Sequence, residues 1–170
     1  MIGSIVGDSM SLCLGYADRL LADVSPDQFA RFAVSGGATI ESNHPAFCLG
    51  HLVLYAPKIV TELGGSPSAI PENFESLFSK DAKCADDPEG TIYPAMDVVV
   101  DSFRSAYAEA MTAVRNASDD QFAKPNPAGG RMTELFPTLG SLHAFYSSGH
   151  MMMHLGQVSA WRRAAGLGAA

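Results

Sequence analysis

The stretch "SDDQFAKPNPAGGRMTE" (residues 118–134) repeats "SPDQFARFAVSGGATIE" (residues 25–41). Aligned without a gap, the two share Ser, Asp, Gln, Phe, Ala, Gly, Gly and Glu, and Arg31 faces Lys124. A window of this length gives about one match by chance at ordinary residue frequencies. Each copy opens with Ser and carries Gln three residues later, the pattern in which side chain and backbone cap a helical turn reciprocally. Each then runs through Gly-Gly toward a longer apolar segment.

Four segments flank these connectors and read as long helices. The first covers about 4–23, with Ile5, Leu12, Leu14, Ala17, Leu20 and Leu21 as its apolar face. The second covers about 44–64, with Asn43 as N-cap, Pro45 in the first turn and Gly64-Gly65 as its stop. The third covers about 94–116, where Met96, Val99, Val100, Phe103, Tyr107, Met111 and Val114 recur at helical spacing. The fourth covers about 138–165, between Thr138 as N-cap and Gly166 as stop. No convincing β alternation stands out. The expected fold is all-α: one domain over 1–170, a four-helix bundle of two pseudo-symmetric helix–connector–helix halves. The remaining connector, about 65–93, is rich in Pro, Ser and Asp. It is expected to wrap the surface, with a short helical piece near Glu72–Lys80, or to serve as a lid.

Composition bounds the function. Hydrophobic residues make up 47% of the 170 and charged residues 17%, in the range of a globular chain. The net charge is −7 and the eleven basic residues are scattered, with only Arg162 and Arg163 adjacent. That pattern argues against a nucleic-acid partner, because phosphate binding needs clustered Lys and Arg. No apolar run reaches the roughly 18 residues of a membrane span. The N-terminal stretch lacks a basic region and carries Asp8, so it reads as a helix start and not a signal peptide. Cys13, Cys48 and Cys84 are widely spaced with no CxxC, which suggests reduced thiols in a cytoplasmic protein.

All five histidines lie on the second and fourth helices. His44 and His51 are seven apart, as are His143 and His150, and His154 follows four later. At about 100° per residue a spacing of seven drifts about 20° and a spacing of four about 40°. Each helix therefore presents its histidines along one face. On the fourth helix that face also carries Leu142, Tyr146, Met153, Gln157 and Trp161; on the second, Phe47, Leu54 and Tyr55 lie beside His51. Met153 is accordingly expected inside, with Met151 and Met152 turned toward neighbouring helices or a partner subunit. Burying several imidazoles without partners is costly. A metal resolves the cost, since neutral imidazole binds Zn²⁺ or Ni²⁺ at about 2.0–2.1 Å. Two histidines at i, i+4 and a third from a facing helix form a three-nitrogen face with open positions for water or substrate. HxxxH alone also arises in core packing, so spacing leaves both readings open.

The segments "SNHPAFCLGHLVLY" (42–55) and "GHMMMHLGQVSAWRR" (149–163), with the S-x-D-Q-F connectors and the helix order, resemble the DinB-like superfamily of metalloenzymes. The resemblance covers nearly the whole chain. It implies a metal triad of one histidine from the second helix and the HxxxH of the last: His51, His150 and His154. It also implies a homodimer and a small-molecule substrate. Characterised members are transferases or isomerases that use mycothiol, bacillithiol or glutathione, although nothing in this sequence fixes a thiol-binding pocket.

Further candidates follow from chemistry. A ligating histidine donates its other N–H to an acceptor. Gln157, one turn after His154, can be that acceptor or bind a bound water; it can equally be a buried amide tied to backbone. Asp97 and Asp101 share a face of the third helix and can accept from a ligand or stay solvated. Cys48, one turn before His51, is an extra ligand or a packing thiol. Tyr146 lies on the histidine face. His143 aligns with His51 when Pro137 aligns with Pro45, and is either a relic of the repeat or a group supporting the ligands. His44, at the helix start, is expected exposed or capping. The expected function is a divalent-metal enzyme, with thiol-dependent transfer first and hydrolysis next. The metal would lower the pKa of a water or thiol or polarise a substrate. The alternative is a non-catalytic dimeric helical bundle or small-ligand binding module that retains the histidines.

Overall fold

Apolar spacing near 3.6 residues builds the two longest helices. In the computed structural model, which describes residues 1–170, the elements run α1 (Ile2–Leu21), α2 (Pro26–Phe29), β1 (Ala33–Ser35), β2 (Ala38–Ile40), α3 (Pro45–Val53), α4 (Ala56–Glu62), α5 (Phe74–Phe78), α6 (Met96–Asn116), α7 (Asp119–Phe122), α8 (Gly130–Leu135), α9 (Leu139–Ala144), a π-helical turn (Phe145–Gly149) and α10 (His150–Ala164). The fold is mainly α. Helix α6 packs on α1, α3 and α4, and α10 packs on α1 and α3. Their inward faces merge into one core that includes Met10, Leu20, Leu52, Phe103, Tyr107 and Trp161. No helix is long and apolar enough to cross a membrane. All three cysteines are free.

Helix α6 buries Val99, Val100, Phe103, Tyr107 and Val114, the stripe its sequence spacing predicts. Helix α1 does not follow its expected face. It buries Gly3, Val6, Gly7, Met10, Cys13, Ala17 and Leu20, while Ile5 and Leu12 are exposed. The buried set keeps helical spacing but includes small residues, which a reading weighted to large apolar side chains passes over.

Both copies of the repeat form the expected capped turn. Ser25 and Ser118 each close a reciprocal cap, with Gln28 and Gln121 respectively, at the start of α2 and α7. Beyond that they diverge. The first copy becomes a two-stranded antiparallel hairpin, β1–β2, pairing Ala33 with Ile40 and Ser35 with Ala38. Gly36 and Gly37 form its two-residue turn at φ 59° and 81°, a left-handed pair that favours glycine. The second copy continues from Gly129-Gly130 into α8.

The second expected helix is broken into α3 and α4. Pro57 has no N–H to donate to the carbonyl of Val53, and its ring crowds that carbonyl, so the helix stops at Leu54 and restarts. The N-cap of α3 is His44 and not Asn43: its Nδ1 accepts from the Phe47 N–H. The fourth expected helix starts on the Thr138 cap but is interrupted by the π turn. There Ser148 returns its hydroxyl to the Ala144 carbonyl and competes for the main-chain bond.

The 65–93 connector does more than cover the surface. Phe74 and Phe78 of α5 are fully buried. Phe78 lies against α3 at Gly50, where a Cβ would come within 2.5 Å of the ring. Farther along, the buried Asp87 accepts from the N–H groups of Thr91, Ile92 and Tyr93, and Asp86 pairs with Arg31 at 2.9 Å.

Candidate metal centre

His51 on α3 meets His150 and His154 on α10. One nitrogen from each lies within 4.8 Å of the others, and this group could hold a metal ion. The ring centroids of His51 stand 5.3 Å from those of His150 and 4.7 Å from those of His154. His150 Nε2 and His154 Nε2 are 3.1 Å apart. A tetrahedral ion with bonds of about 2.0–2.1 Å holds its nitrogens about 3.3 Å apart, so this pair already has the required separation.

Hydrogen bonds set the tautomers. His51 Nδ1 is 2.7 Å from the Phe78 carbonyl, which can only accept, so Nδ1 carries the proton and Nε2 is left as a lone pair. His154 Nδ1 is 2.9 Å from Gln157 Oε1 and donates in the same way. Two of the three imidazoles are thus oriented with Nε2 free, the arrangement metal-binding histidines use. His150 Nδ1 has no partner. Charge state agrees with donor geometry. Burial lowers the pKa of all three, that of His150 to about 3 with His154 and His51 adding repulsion, so the rings are neutral at pH 7.

The rings open onto a cleft of about 470 Å³. Phe47, Tyr55 and Met153 supply its apolar walls, and Lys80, Lys83 and Cys84 line it as well. Tyr55 packs its ring 4.4 Å from His150 and 5.1 Å from Tyr146.

The supporting shell separates the sequence candidates. Gln157 is an exposed residue whose Oε1 accepts from three donors: His154 Nδ1, Asn43 Nδ2 at 3.2 Å and Cys48 Sγ at 3.5 Å. It is not a buried amide tied to backbone. Cys48 therefore serves the glutamine that holds His154 and is not among the clustered donors; its burial drives the thiol pKa up, so it stays protonated. Asn43, expected only as a cap, instead steadies Gln157. His44 is buried and not exposed, with Nε2 3.0 Å from the Ala85 carbonyl. Tyr146 sits 6.3 Å from His150, behind Tyr55.

For the remaining candidates the structure decides between the readings left open. Asp97 and Asp101 are exposed on α6, in a groove with Asp18 and Arg104, because that helix turns its apolar stripe inward and its carboxylates outward. His143 does not join the triad. It is fully buried with Nε2 3.4 Å from Glu62 Oε2. The π turn is the cause: it inserts about one residue's arc, ~100°, between His143 and His150 and sends them to different sides. The methionines shift with it. Met153, expected inside, is 54% exposed at the cleft, while Met151, expected toward neighbouring helices or a partner, is fully buried.

The residues missed by sequence reasoning are Asn43, Tyr55 as a ring against His150, and the Phe78 carbonyl. Only the first two had a signal, their positions on the helix that carries His51; a carbonyl leaves none. Comparison with family models, with curated proteins and with solved structures finds no match for this chain.

Proposed function

We propose that the chain is a divalent-metal-dependent enzyme acting on a small molecule, built as a DinB-like four-helix bundle with His51, His150 and His154 as the ligands. The observation that carries this reading is the pair of fixed Nδ1–H donors, His51 to Phe78 and His154 to Gln157, which leaves Nε2 lone pairs at the cluster. An all-imidazole donor set suits Zn²⁺ or Ni²⁺ better than a hard, oxygen-seeking cation. A cation there would supply Lewis acidity toward an oxygen or sulfur atom of a substrate.

The chain's own groups narrow the chemistry. No carboxylate lines the cleft, so no Asp or Glu is placed as a general base. The one cysteine that lines it, Cys84, has its pKa raised to about 11 by burial and is a protonated, weak nucleophile at pH 7. With neither a carboxylate base nor an ionised thiol on the lining, this reading takes its nucleophile from solution. A low-molecular-weight thiol makes the protein a transferase or isomerase; water makes it a hydrolase. Phe47, Tyr55 and Met153 exclude solvent on one side, and Gln157 and Phe78 keep the imidazoles aimed.

Metal analysis after purification without a chelating resin tests the reading. The expected result is near-stoichiometric Zn or Ni that disappears in His51→Ala and His154→Ala. A metal-free chain whose thermal stability is indifferent to chelator and to added Zn²⁺ overturns it.

A further inference from the structure

The lysines are unevenly placed. The chain has four, Lys58, Lys80, Lys83 and Lys124, against a net charge of −7. Three gather around the histidine cleft. Lys80 and Lys83 line it, and Lys58 lies with Nζ 4.8 Å from the centre of the Tyr55 ring. Lys80 also touches its neighbour Asp81 at 2.7 Å, but both side chains are more than three-quarters exposed. Such a pair is weak and exchanges readily for another anion.

The other large grooves have the opposite character. One carries Asp101 and Glu109, a second Asp18, Asp97 and Asp101 against the single Arg104, and a third Asp27, Asp87 and Glu89 against the single Arg31, so each keeps an acidic excess. The histidine cleft has two lysines on its lining and no carboxylate; Glu75, Glu41 and Asp81 stand near it but not on its lining. On an acidic protein this sets a local positive field against a negative background, which draws anions to that cleft and away from the others. Three imidazoles are neutral donors, so a divalent ion held by them keeps its whole charge, and an anion is what balances it.

Shape and donor type restrict the anion. No arginine fork and no glycine-rich loop lines the cleft, so a phosphate has no cradle of parallel N–H groups. Two lysines offer point charges instead. The opposite wall is apolar and aromatic, and the volume suits a small molecule. We propose that the cleft selects a small carboxylate-bearing molecule, its anionic end between Lys80 and Lys83 and its apolar body on Phe47, Tyr55 and Met153. The proposal rests on the enzymatic reading only in placing this ligand beside the three imidazoles.

Benzoate and its neutral isostere benzamide are the probes, titrated by ligand-observed NMR into Zn-supplemented and into chelator-treated protein. Benzoate is expected to bind the wild-type chain at least tenfold tighter than benzamide. The exposed pair Lys80→Ala/Lys83→Ala is expected to lose roughly tenfold in benzoate affinity, with benzamide unchanged. Lys124→Ala, away from the cleft, is expected to match wild type, and thermal melts check that all variants fold alike. Equal affinity for the two probes, full benzoate affinity in the double variant, or no benzoate binding at millimolar concentration overturns the proposal. If the chain takes up no metal, the enzymatic reading fails by itself, and the chelator-treated series still decides whether the lysines select the carboxylate.

Discussion

Replacing His143 with Leu is expected to flatten the acid side of the stability curve. His143 has no exposed surface, and burial lowers its pKa from about 6.5 to about 4. The depressed value means that acid favours the unfolded chain, where the ring is free to protonate. Its contribution to stability is complete above about pH 6.5 and is lost as pH falls toward 4. At pH 5 the unfolded imidazole is almost fully protonated and the folded one mostly neutral. Integrating that difference in bound protons from pH 7.5 to pH 5 gives a loss of about 2 kcal/mol from this one group. His44, also lowered to about 4, and the three clustered histidines act in the same direction, but they remain in the variant and cancel. Glu62, whose carboxyl is pushed up by burial, acts in the opposite sense and also remains. Urea unfolding of chelator-treated protein, followed by circular dichroism at pH 7.5 and pH 5, measures the difference. Wild type should lose about 2 kcal/mol more than His143→Leu over that interval. Equal losses would refute the idea that burial holds His143 neutral. Metal uptake should be the same in both proteins, because His143 is not one of the three clustered residues.

Gln157→Leu removes the acceptor shared by His154, Asn43 and Cys48, and should weaken Zn²⁺ binding by about 10–100-fold in a chelator competition. Because Gln157 is exposed, its unfolding midpoint should hardly move, whereas Gln157→Glu keeps an acceptor and should retain most of the affinity; unchanged affinity in the leucine variant counts against the tautomer argument. Gly50→Ala places a Cβ 2.5 Å from the Phe78 ring and should cost about 1–3 kcal/mol in urea unfolding. The same push displaces the carbonyl that holds His51, so Zn²⁺ affinity should fall with it, and an unchanged midpoint would show that Phe78 gives way freely.

The sequence carried some of this plainly and hid the rest for identifiable reasons. Capped turns at Ser25 and Ser118 were legible because a cap is a local hydrogen-bond pattern spanning three residues. The stripe on α6 was legible because Phe103, Tyr107 and Val114 are large and regularly spaced. The hairpin at Gly36-Gly37 was not, since three-residue strands give too few alternations to register as period two. Pro57 was a readable break, outweighed by the apolar residues on either side of it. His51, His150 and His154 were placed as a group because i, i+4 spacing survives within α10 and because family resemblance supplied the third. What the spacing could not convey is the side-chain environment contributed by distant chain, above all the Phe78 carbonyl, which reaches His51 from a connector with no motif of its own.

The two interruptions that the periodic reading missed also place the cluster. The break at Leu54–Tyr55 ends α3 two residues past His51 and leaves Tyr55 as the N-cap of α4, its ring against both His51 and His150. The π turn ends immediately before His150 and rotates the last helix by about one residue's arc. A regular helix through 138–165 would keep His143 and His150 on one face and force a choice of which of them meets His51. With the extra residue, His143 faces Glu62 and His150 faces His51, and Met153 sits on the wall of the cleft. The repeat therefore does not extend to the site. Its two copies share capped turns and diverge directly after them, and the second half adds the π turn that ends with Ser147-Ser148-Gly149. That departure delivers two imidazoles from one helix to a single imidazole on the other.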